Sequence, residues 1–410
     1  MIENNENFFE NNLFRFDNDP CDCVTDTINL APGTPPTTTI KVQAIPGERI
    51  HFAFSSGVGL VRLGEKGALV EKNLLGSLIS IKPGDTAALF EYFRRNGFLF
   101  NISGQEYEPI DTDKMFELIR RLRTTVELLS AMGAIRKDYH KILGLSLYLM
   151  LSSPIEISFT SLPAPYRTCK HALQECFERA YSLPTPDYFQ QEMFSKDSIS
   201  IPDTLVAPAY ELDSQLYMGC LEGSGQESYI KGSSSDLFKS VLILYAHGLN
   251  EHASIRRAVD LIFHYFCEVG TIKDINEDGS IEYYGKPDTG KLTNEMKSRI
   301  LAIAKLAIAE EINANMGSIH PMYDAEKMTP SWHVDSLIGG LYFSIFYMKP
   351  DLELFRRCRQ CGQFFTVKAT STRKVYCDDI CRNRYQQSMH RKRKREKEKE
   401  KKSWLRKRNL

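Results

Sequence analysis

Cys358-Arg-Gln-Cys361-Gly-Gln-Phe-Phe365, and then, with fifteen residues between it and Cys361, Cys377-Asp-Asp-Ile-Cys381, is the stretch from which the rest of the chain is read. Two close pairs of thiols at this separation predict one tetrahedral Zn2+ held by Cys358, Cys361, Cys377 and Cys381. The first pair has the two-residue spacing of a knuckle, and Gly362 follows where the backbone must fold tightly around a metal. Phe364, Phe365 and Val367 would form one short strand, and Val375 and Tyr376 a second. The polar turn Thr370-Ser371-Thr372-Arg373 would join them. The second pair would open a helix, whose free backbone donors and positive dipole end suit Asp378 and Asp379. Four protein thiolates leave no open position for water, so the zinc is expected to be structural.

Past Cys381 the chain has no glycine or proline, and Arg, Lys, Glu and Gln are good helix formers. A helix from Asp378 to about Lys402 would be roughly 37 Å long, about a turn of duplex DNA. Between Arg382 and Arg395 it carries seven Lys or Arg and no acid: Arg382, Arg384, Arg391, Lys392, Arg393, Lys394 and Arg395. Glu and Lys alternate after that, as on a solvated helix with internal ion pairs. With Arg373 and Lys374 on the preceding turn, the first part is suited to meeting phosphate, and the zinc module would give it a rigid mount. Nucleic acid is therefore the expected partner, DNA ahead of RNA, against the plainer reading of a solubilising tail.

The balance of charge supports a division of labour. From Asp351 onward there are 20 Lys and Arg against 7 Asp and Glu, a net of +13; of the chain's 52 and 52 this leaves 32 against 45 before it, a net of −13. A basic C-terminal part thus follows an acidic body. With 410 residues, 42% hydrophobic and 25% charged, the chain has room for two or three domains with sizeable cores. Its first residues, Met1-Ile-Glu-Asn-Asn-Glu-Asn, do not read as a secretory signal. The longest apolar run, Leu337 to Met348, is broken by Gly339, Gly340 and Ser344 and is too short to span a bilayer. A reducing cytoplasm is expected, with no membrane partner. Cys169, Cys176, Cys220 and Cys267 stand singly in apolar contexts and read as buried thiols. Cys21-Asp-Cys23 is too tightly spaced to read as a ligand pair.

The rest of the chain predicts a mainly α protein with a small N-terminal β-containing segment, ending in a four-cysteine zinc finger made of a β-hairpin and a helix that continues into a long basic helix. Residues 1–40, rich in Asn, Asp, Thr and Pro, read as a disordered arm, and 41–182 as an α+β domain. Within that domain Ile50–Phe54, Gly59–Leu63 and Leu78–Ile81 read as strands. Ala87–Asn96, Asp111–Met132, Asp138–Leu151 and Arg167–Tyr181 read as helices. Arg120, Arg121 and Arg123 fall largely off the apolar stripe of the second of these and read as a solvated face. Residues 183–233 are expected to be a loop-rich linker, 234–350 a helical domain, 351–390 the finger and 391–410 the basic helical tail. The helical domain would hold Ser234–Ala246, Ala253–Glu268, Leu292–Asn313 and a last helix from Thr329 to Met348.

Other constellations give way to simpler readings. Asp274-x-Asn276-x-Asp278-Gly279 opens like a calcium loop, but Gly285 stands where the bidentate glutamate belongs, and a hairpin turn explains the same residues. His264 reads as a core histidine, and His320 and His333 have no acid or thiol at a recognisable spacing. No phosphate loop, nucleophile elbow or His-Glu-x-x-His helix occurs, so no enzymatic activity is expected.

From Cys358-x-x-Cys361-Gly-x-Phe-Phe365 to Arg373-Lys-Val-Tyr-Cys377-x-x-x-Cys381-Arg-Asn-Arg384, the chain resembles the bacterial CGNR-type zinc fingers. These are regarded as DNA-binding, stress-linked regulators that keep the finger behind a largely helical domain. The resemblance implies zinc ligation by the four cysteines and makes Asn383 and Arg384 the end of the name-giving motif, with Arg382 where that motif has glycine. The same residues are similar to a more general treble-clef finger ending in a basic helix. More loosely, Asp85–Phe98 resembles the family's N-terminal domain. The function expected is a DNA-binding transcription regulator whose acidic body senses a small-molecule effector or a protein partner. Two alternatives stay open: an RNA- or ribosome-associated protein, and an enzyme or toxin-like body with a purely structural zinc module.

Overall fold

Phenylalanines facing one another across antiparallel strands begin the fold. The structure, a computed structural model, describes residues 12–28, 37–55, 59–64, 67–181, 235–247, 253–325, 328–371 and 373–408. Strands β1 (Asn12–Asn18), β2 (Cys21–Ile28), β3 (Thr37–Ala44), β4 (Ile50–Ser55), β5 (Gly59–Leu63) and β6 (Leu69–Glu71) come first. Helices α1 (Leu74–Ile79) and α2 (Thr86–Asn96) and strand β7 (Glu108–Ile110) follow. One sheet has the order β1-β4-β5-β6 and a second β2-β3-β7. In the first, Phe14 pairs with Phe54 and Phe16 with Phe52, their rings stacked at 5.4 and 5.0 Å. Such aromatic pairs favour one register, because a slip by one residue would turn both sets to the other face.

The helical part begins with α3 (Thr112–Gly133) and α4 (Tyr139–Leu151). It continues through β8 (Glu156–Ile157), β9 (Tyr166–Arg167), α5 (Ala172–Tyr181), α6 (Asp236–His247) and α7 (Ala253–Glu268). Strands β10 (Ile272–Ile275) and β11 (Ile281–Tyr283) lead to α8 (Asn294–Ala314). Strands β12 (Ile319–Asp324) and β13 (Thr329–Val334) then precede α9 (Leu337–Phe346). The caps follow local chemistry: Asp111, Asp138 and Thr293 each accept a backbone N–H from the first turn of α3, α4 and α8. The expected stripe of Met115, Leu118, Ile119, Leu122, Val126 and Leu129 is buried, and α3 packs against α4 and α8. Helix α9 lies on the first sheet, where Phe343 meets Phe14 at 5.0 Å and Phe54 at 4.9 Å. One cluster of buried side chains runs from Phe14 through these helices to Phe364. None of the described helices is long and apolar enough to cross a membrane.

Several expectations are corrected. Helix accounts for 47% and strand for 21%, with small sheets spread along the whole chain, so the protein is not mainly α with β structure confined to one N-terminal segment. Residues 12–28, expected within a disordered arm, are β1 and β2, with Phe14, Cys21 and Cys23 buried. Leu78 and Ile79 end helix α1, since Leu74, Leu75, Leu78 and Ile79 also fit helical spacing and all four are buried. Thr329–Val334 forms β13, paired with β12 so that His320 faces His333, which leaves only Leu337–Phe346 as the last helix before the finger. Arg121 is fully buried and Arg123 mostly so, not on a solvated face. The calcium-like loop is the turn between β10 and β11, where Asp278 accepts from the N–H and the hydroxyl of Ser280. The expected linker 183–233 lies outside the described residues.

Candidate metal centre and basic helix

The finger is built on strands β14 (Glu353–Arg357) and β15 (Phe364–Lys368), followed by helix α10 (Asp379–Arg408). These two strands pair with each other, Arg357 opposite Phe364 and Glu353 opposite Lys368. The sequence pointed instead to a pairing of Phe364–Val367 with Val375–Tyr376. That segment contributes one backbone bond, in which Arg359 N–H donates to Val375 O at 3.1 Å. The Cys358–Cys361 knuckle therefore closes the β14–β15 hairpin. Gly362 takes φ +77°, and its N–H donates to Cys358 O at 2.9 Å; that backbone region is open to glycine at no steric cost.

The four cysteines converge. Their sulfurs all lie within 4.8 Å of one another, and Cys361 and Cys377 are 3.7 Å apart. A tetrahedron of sulfurs about 2.3 Å from zinc has an edge of about 3.8 Å, which the Cys361–Cys377 separation matches. Cys358 and Cys381 are buried while Cys361 is exposed, which places the site at the rim of the finger's own small core of Leu354, Phe365, Val367 and Ala369. Burial alone would raise the Cys358 thiol. Backbone N–H groups of Cys361, Cys377 and Gln360, with the Cys361 side chain, outweigh it and bring the thiol down to about 6. Cys358 thus gives up its proton most readily, whereas burial and the neighbouring sulfurs raise the thiol of Cys377, and a metal held by all four would have to displace that proton. Asp378 accepts the Cys381 N–H at 2.6 Å and so caps the helix that the sequence placed here.

No family model, curated protein or solved structure matches the chain. Zinc-finger-like cysteine geometry is what stands.

The finger is fused to the body. Strand β14 packs on α3 and β15 on α1. Phe355 N–H donates to Ser130 Oγ at 3.1 Å, Phe364 N–H to Ser80 Oγ at 2.8 Å, and Asn73 Nδ2 to Phe364 O at 2.7 Å. Gly133 ends α3 so close to the chain entering the finger that a Cβ there would stand 2.1 Å from Pro350 O. At this junction lies a cavity of about 250 Å³, with Phe54, Leu60 and Tyr347 on the body side and Phe355 and Thr366 on the finger side. Lys72 and Lys349 also line it.

The basic residues named from the sequence are all exposed, and α10 carries most of them. Arg373 and Lys374 sit on the loop before it, Lys374 Nζ lying 5.6 Å from the Phe365 ring centre. Arg382 pairs with Asp379 at 3.3 Å, while Asn383 and Arg384 face solvent. Cys381, Tyr385 and Met389, spaced by four, are the buried and half-buried side of the helix, and Tyr385 meets Tyr376 at 5.4 Å. Arg384, Arg391 and Arg395, at i, i+7 and i+11, form an exposed stripe along the flank of the helix beside that side. Lys392, Arg393 and Lys394 spread over the remaining surface, so positive charge surrounds the helix past the finger.

Sequence reasoning missed the acid beside two histidines and a second group of metal-ligand type. Asp335, just after β13, reaches Nε2 of His333 at 2.9 Å and of His320 at 3.8 Å. Cys169, His171 and Glu311 form the other group, wholly buried. A faint signal existed for it: Cys169 and His171 are two apart, as on one face of an extended chain, with Lys170 exposed between them.

Proposed function

We propose that the protein binds nucleic acid, DNA in preference to RNA, through helix α10, and that it acts in the cytoplasm as a transcription regulator of the type that the CGNR-like motif implies. Zinc on Cys358, Cys361, Cys377 and Cys381 holds the start of the helix against the hairpin. Arg373, Lys374, Arg382, Asn383, Arg384 and the run Arg391–Arg395 meet phosphate. The observation that carries the reading is the exposed stripe of Arg384, Arg391 and Arg395, free of acids and set on a helix whose first turn is anchored at the cysteine cluster. Phosphate contacts made this way position a protein without reading bases.

The body's part is to sense. The cavity between body and finger supports this: an effector with an apolar portion and a negative charge would touch both, Phe54 and Tyr347 on one side, Phe355 on the other, and Lys72 or Lys349 at its charged end. The reading assigns the chain no enzymatic activity.

The test is fluorescence anisotropy of the zinc-loaded full chain with duplex DNA and with structured RNA of equal length at fixed salt. Tighter duplex binding is expected, with a log–log salt slope that flattens when Arg391–Arg395 are replaced by Ala. An unchanged slope would remove α10 from the interface, and stronger RNA binding would favour the ribosome- or RNA-associated alternative.

A further inference from the structure

The buried cluster between α3, α8, α9 and the segment before α5 has no role in the finger reading. Glu311, on α8, and Arg121, on α3, are both inaccessible to solvent and form an ion pair at 3.0 Å. His171 is inaccessible as well, its Nε2 3.2 Å from Glu311 Oε2 and its Nδ1 2.7 Å from Glu310 Oε2. Tyr342, on α9, donates its hydroxyl to Glu311 Oε1 at 3.1 Å. The Cys169 sulfur, a ring nitrogen of His171 and a carboxylate oxygen of Glu311 lie within 4.8 Å of one another. Arg121 Nη2 also donates to Cys169 O at 2.8 Å, which fixes the backbone that carries the thiol.

We propose that Cys169, His171 and Glu311 hold a second, buried zinc ion. A sulfur, an imidazole nitrogen and a carboxylate oxygen form a borderline-soft donor set of the kind zinc accepts. The surroundings are those of a ligated histidine. With Nδ1 protonated, His171 donates to Glu310 Oε2 and leaves Nε2 for the metal, the carboxylate–histidine–metal arrangement that orients imidazole ligands. Glu311 accepts from Tyr342 on Oε1, while Oε2 accepts from Arg121 Nη2 at 3.0 Å and also faces His171 Nε2, so the ion would share that oxygen with the guanidinium. Three protein donors leave a fourth position for an enclosed water.

Charge is the main objection, because a cation would sit near Arg121. It is answered by counting protons. Without metal, the neutral cluster holds Arg121 and a doubly protonated His171 against Glu310 and Glu311, with Cys169 as a thiol. Zinc binding displaces two protons, one from the Cys169 sulfur and one from His171 Nε2. The ion's two positive charges replace those of the two protons, so the buried site stays neutral. Fully buried charge is costly unless balanced, and here it is balanced in either state. The ion would tie the segment before α5 to α8, two stretches far apart in sequence, and so brace the body independently of the finger.

The experiment uses the full chain expressed with zinc and purified without chelator, its metal content measured by mass spectrometry and its zinc environment by X-ray absorption. Two zinc ions per chain are expected, with mixed sulfur and nitrogen or oxygen ligation. The Cys358→Ser, Cys381→Ser double variant should keep one ion, bound through nitrogen, oxygen and a single sulfur. Cys169→Ser with His171→Asn should keep one ion in an all-sulfur site. If that pair does not fold, Glu310→Gln in the Cys358→Ser, Cys381→Ser background serves instead. It spares the ligands and should weaken zinc about 10- to 100-fold in competition with a chelating dye. One zinc per wild-type chain in an all-sulfur environment would overturn the proposal and leave the finger standing. One zinc in a nitrogen- and oxygen-rich environment would do the reverse.

Discussion

The backbone N–H of Phe364 donates to the hydroxyl of Ser80 at 2.8 Å, a bond between residues 284 apart in the chain. Phe364 opens the second strand of the hairpin that carries the cysteine knuckle, and its ring belongs to the main core of the body. The finger is thus an extension of the body's packing and not an appended bead. The hairpin is coupled through this bond to α1, which also lines the junction cavity through Leu74 and Leu75.

Replacing Ser80 by Ala should leave the Phe364 donor without its partner at a half-buried position. A loss of about 1–3 kcal/mol is expected, measured by urea denaturation. Hydrogen exchange should quicken first in Phe364–Lys368. Unchanged exchange there would show that Asn73 and the core contacts of Phe364 hold the hairpin without this bond.

Removing the finger zinc with a chelator should melt the start of α10 and the Cys358–Cys361 turn. Structural zinc contributes on the order of 10 kcal/mol where it alone folds a module. Here the hairpin keeps its contacts to α1 and α3, so circular dichroism should lose helix only to the extent of α10. Near-ultraviolet signals from the Phe14, Phe54 and Phe343 cluster should persist. Loss of both together would mean that finger and body unfold as one unit.

The stripe on α10 can be tested residue by residue. Arg384→Ala, Arg391→Ala and Arg395→Ala should each lower the salt slope of duplex binding by up to about 0.9, the value for one phosphate contact. Arg382, already paired with Asp379, should matter less. Equal effects at all four positions would argue for a diffuse cationic field and against one docking face.

Glu108 offers a pH test in the body. Its carboxylate is buried, which alone would raise its pKa. Hydrogen bonds from Ser161 Oγ and from Thr160 N–H at 2.6 Å outweigh this and hold it below the ordinary range. A carboxyl depressed in the folded state contributes stability that is present above its unfolded pKa, about 4.3. That stability is lost as pH falls through the lower folded value. The stabilities of wild type and Glu108→Gln, followed by urea denaturation across the acid range, should therefore converge at low pH and differ most above pH ~4.3. A constant difference at every pH would exclude the ionised form as the source.

Much of the site was legible because its signals are local. Cysteine spacing, Gly362, the acidic start of α10 and the basic run need only neighbouring residues to be recognised, and α3, α4 and α7 announced themselves by apolar periodicity. The pairing partner of Phe364–Lys368 was misread because β14, with Glu353, Arg356 and Arg357 among its five residues, carries a weaker strand signal than the apolar Val375–Tyr376. What decides between them is packing of β14 on α3 and of β15 on α1. Leu74–Ile79 was equally ambiguous, a short apolar run that fits either period.

The sequence by itself determined the four-cysteine cluster, the long basic helix that follows it and the separation of charge between the two parts, all properties of residues close together in the chain. Only the tertiary structure decided which strand closes the finger, that Phe14 is core, and that Arg121, His171 and Glu311 meet. The reason is physical. Periodicity reports which face of an element is apolar, whereas a buried charge is stable only with partners, and Arg121 and His171 find theirs on α8, 190 and 140 residues away.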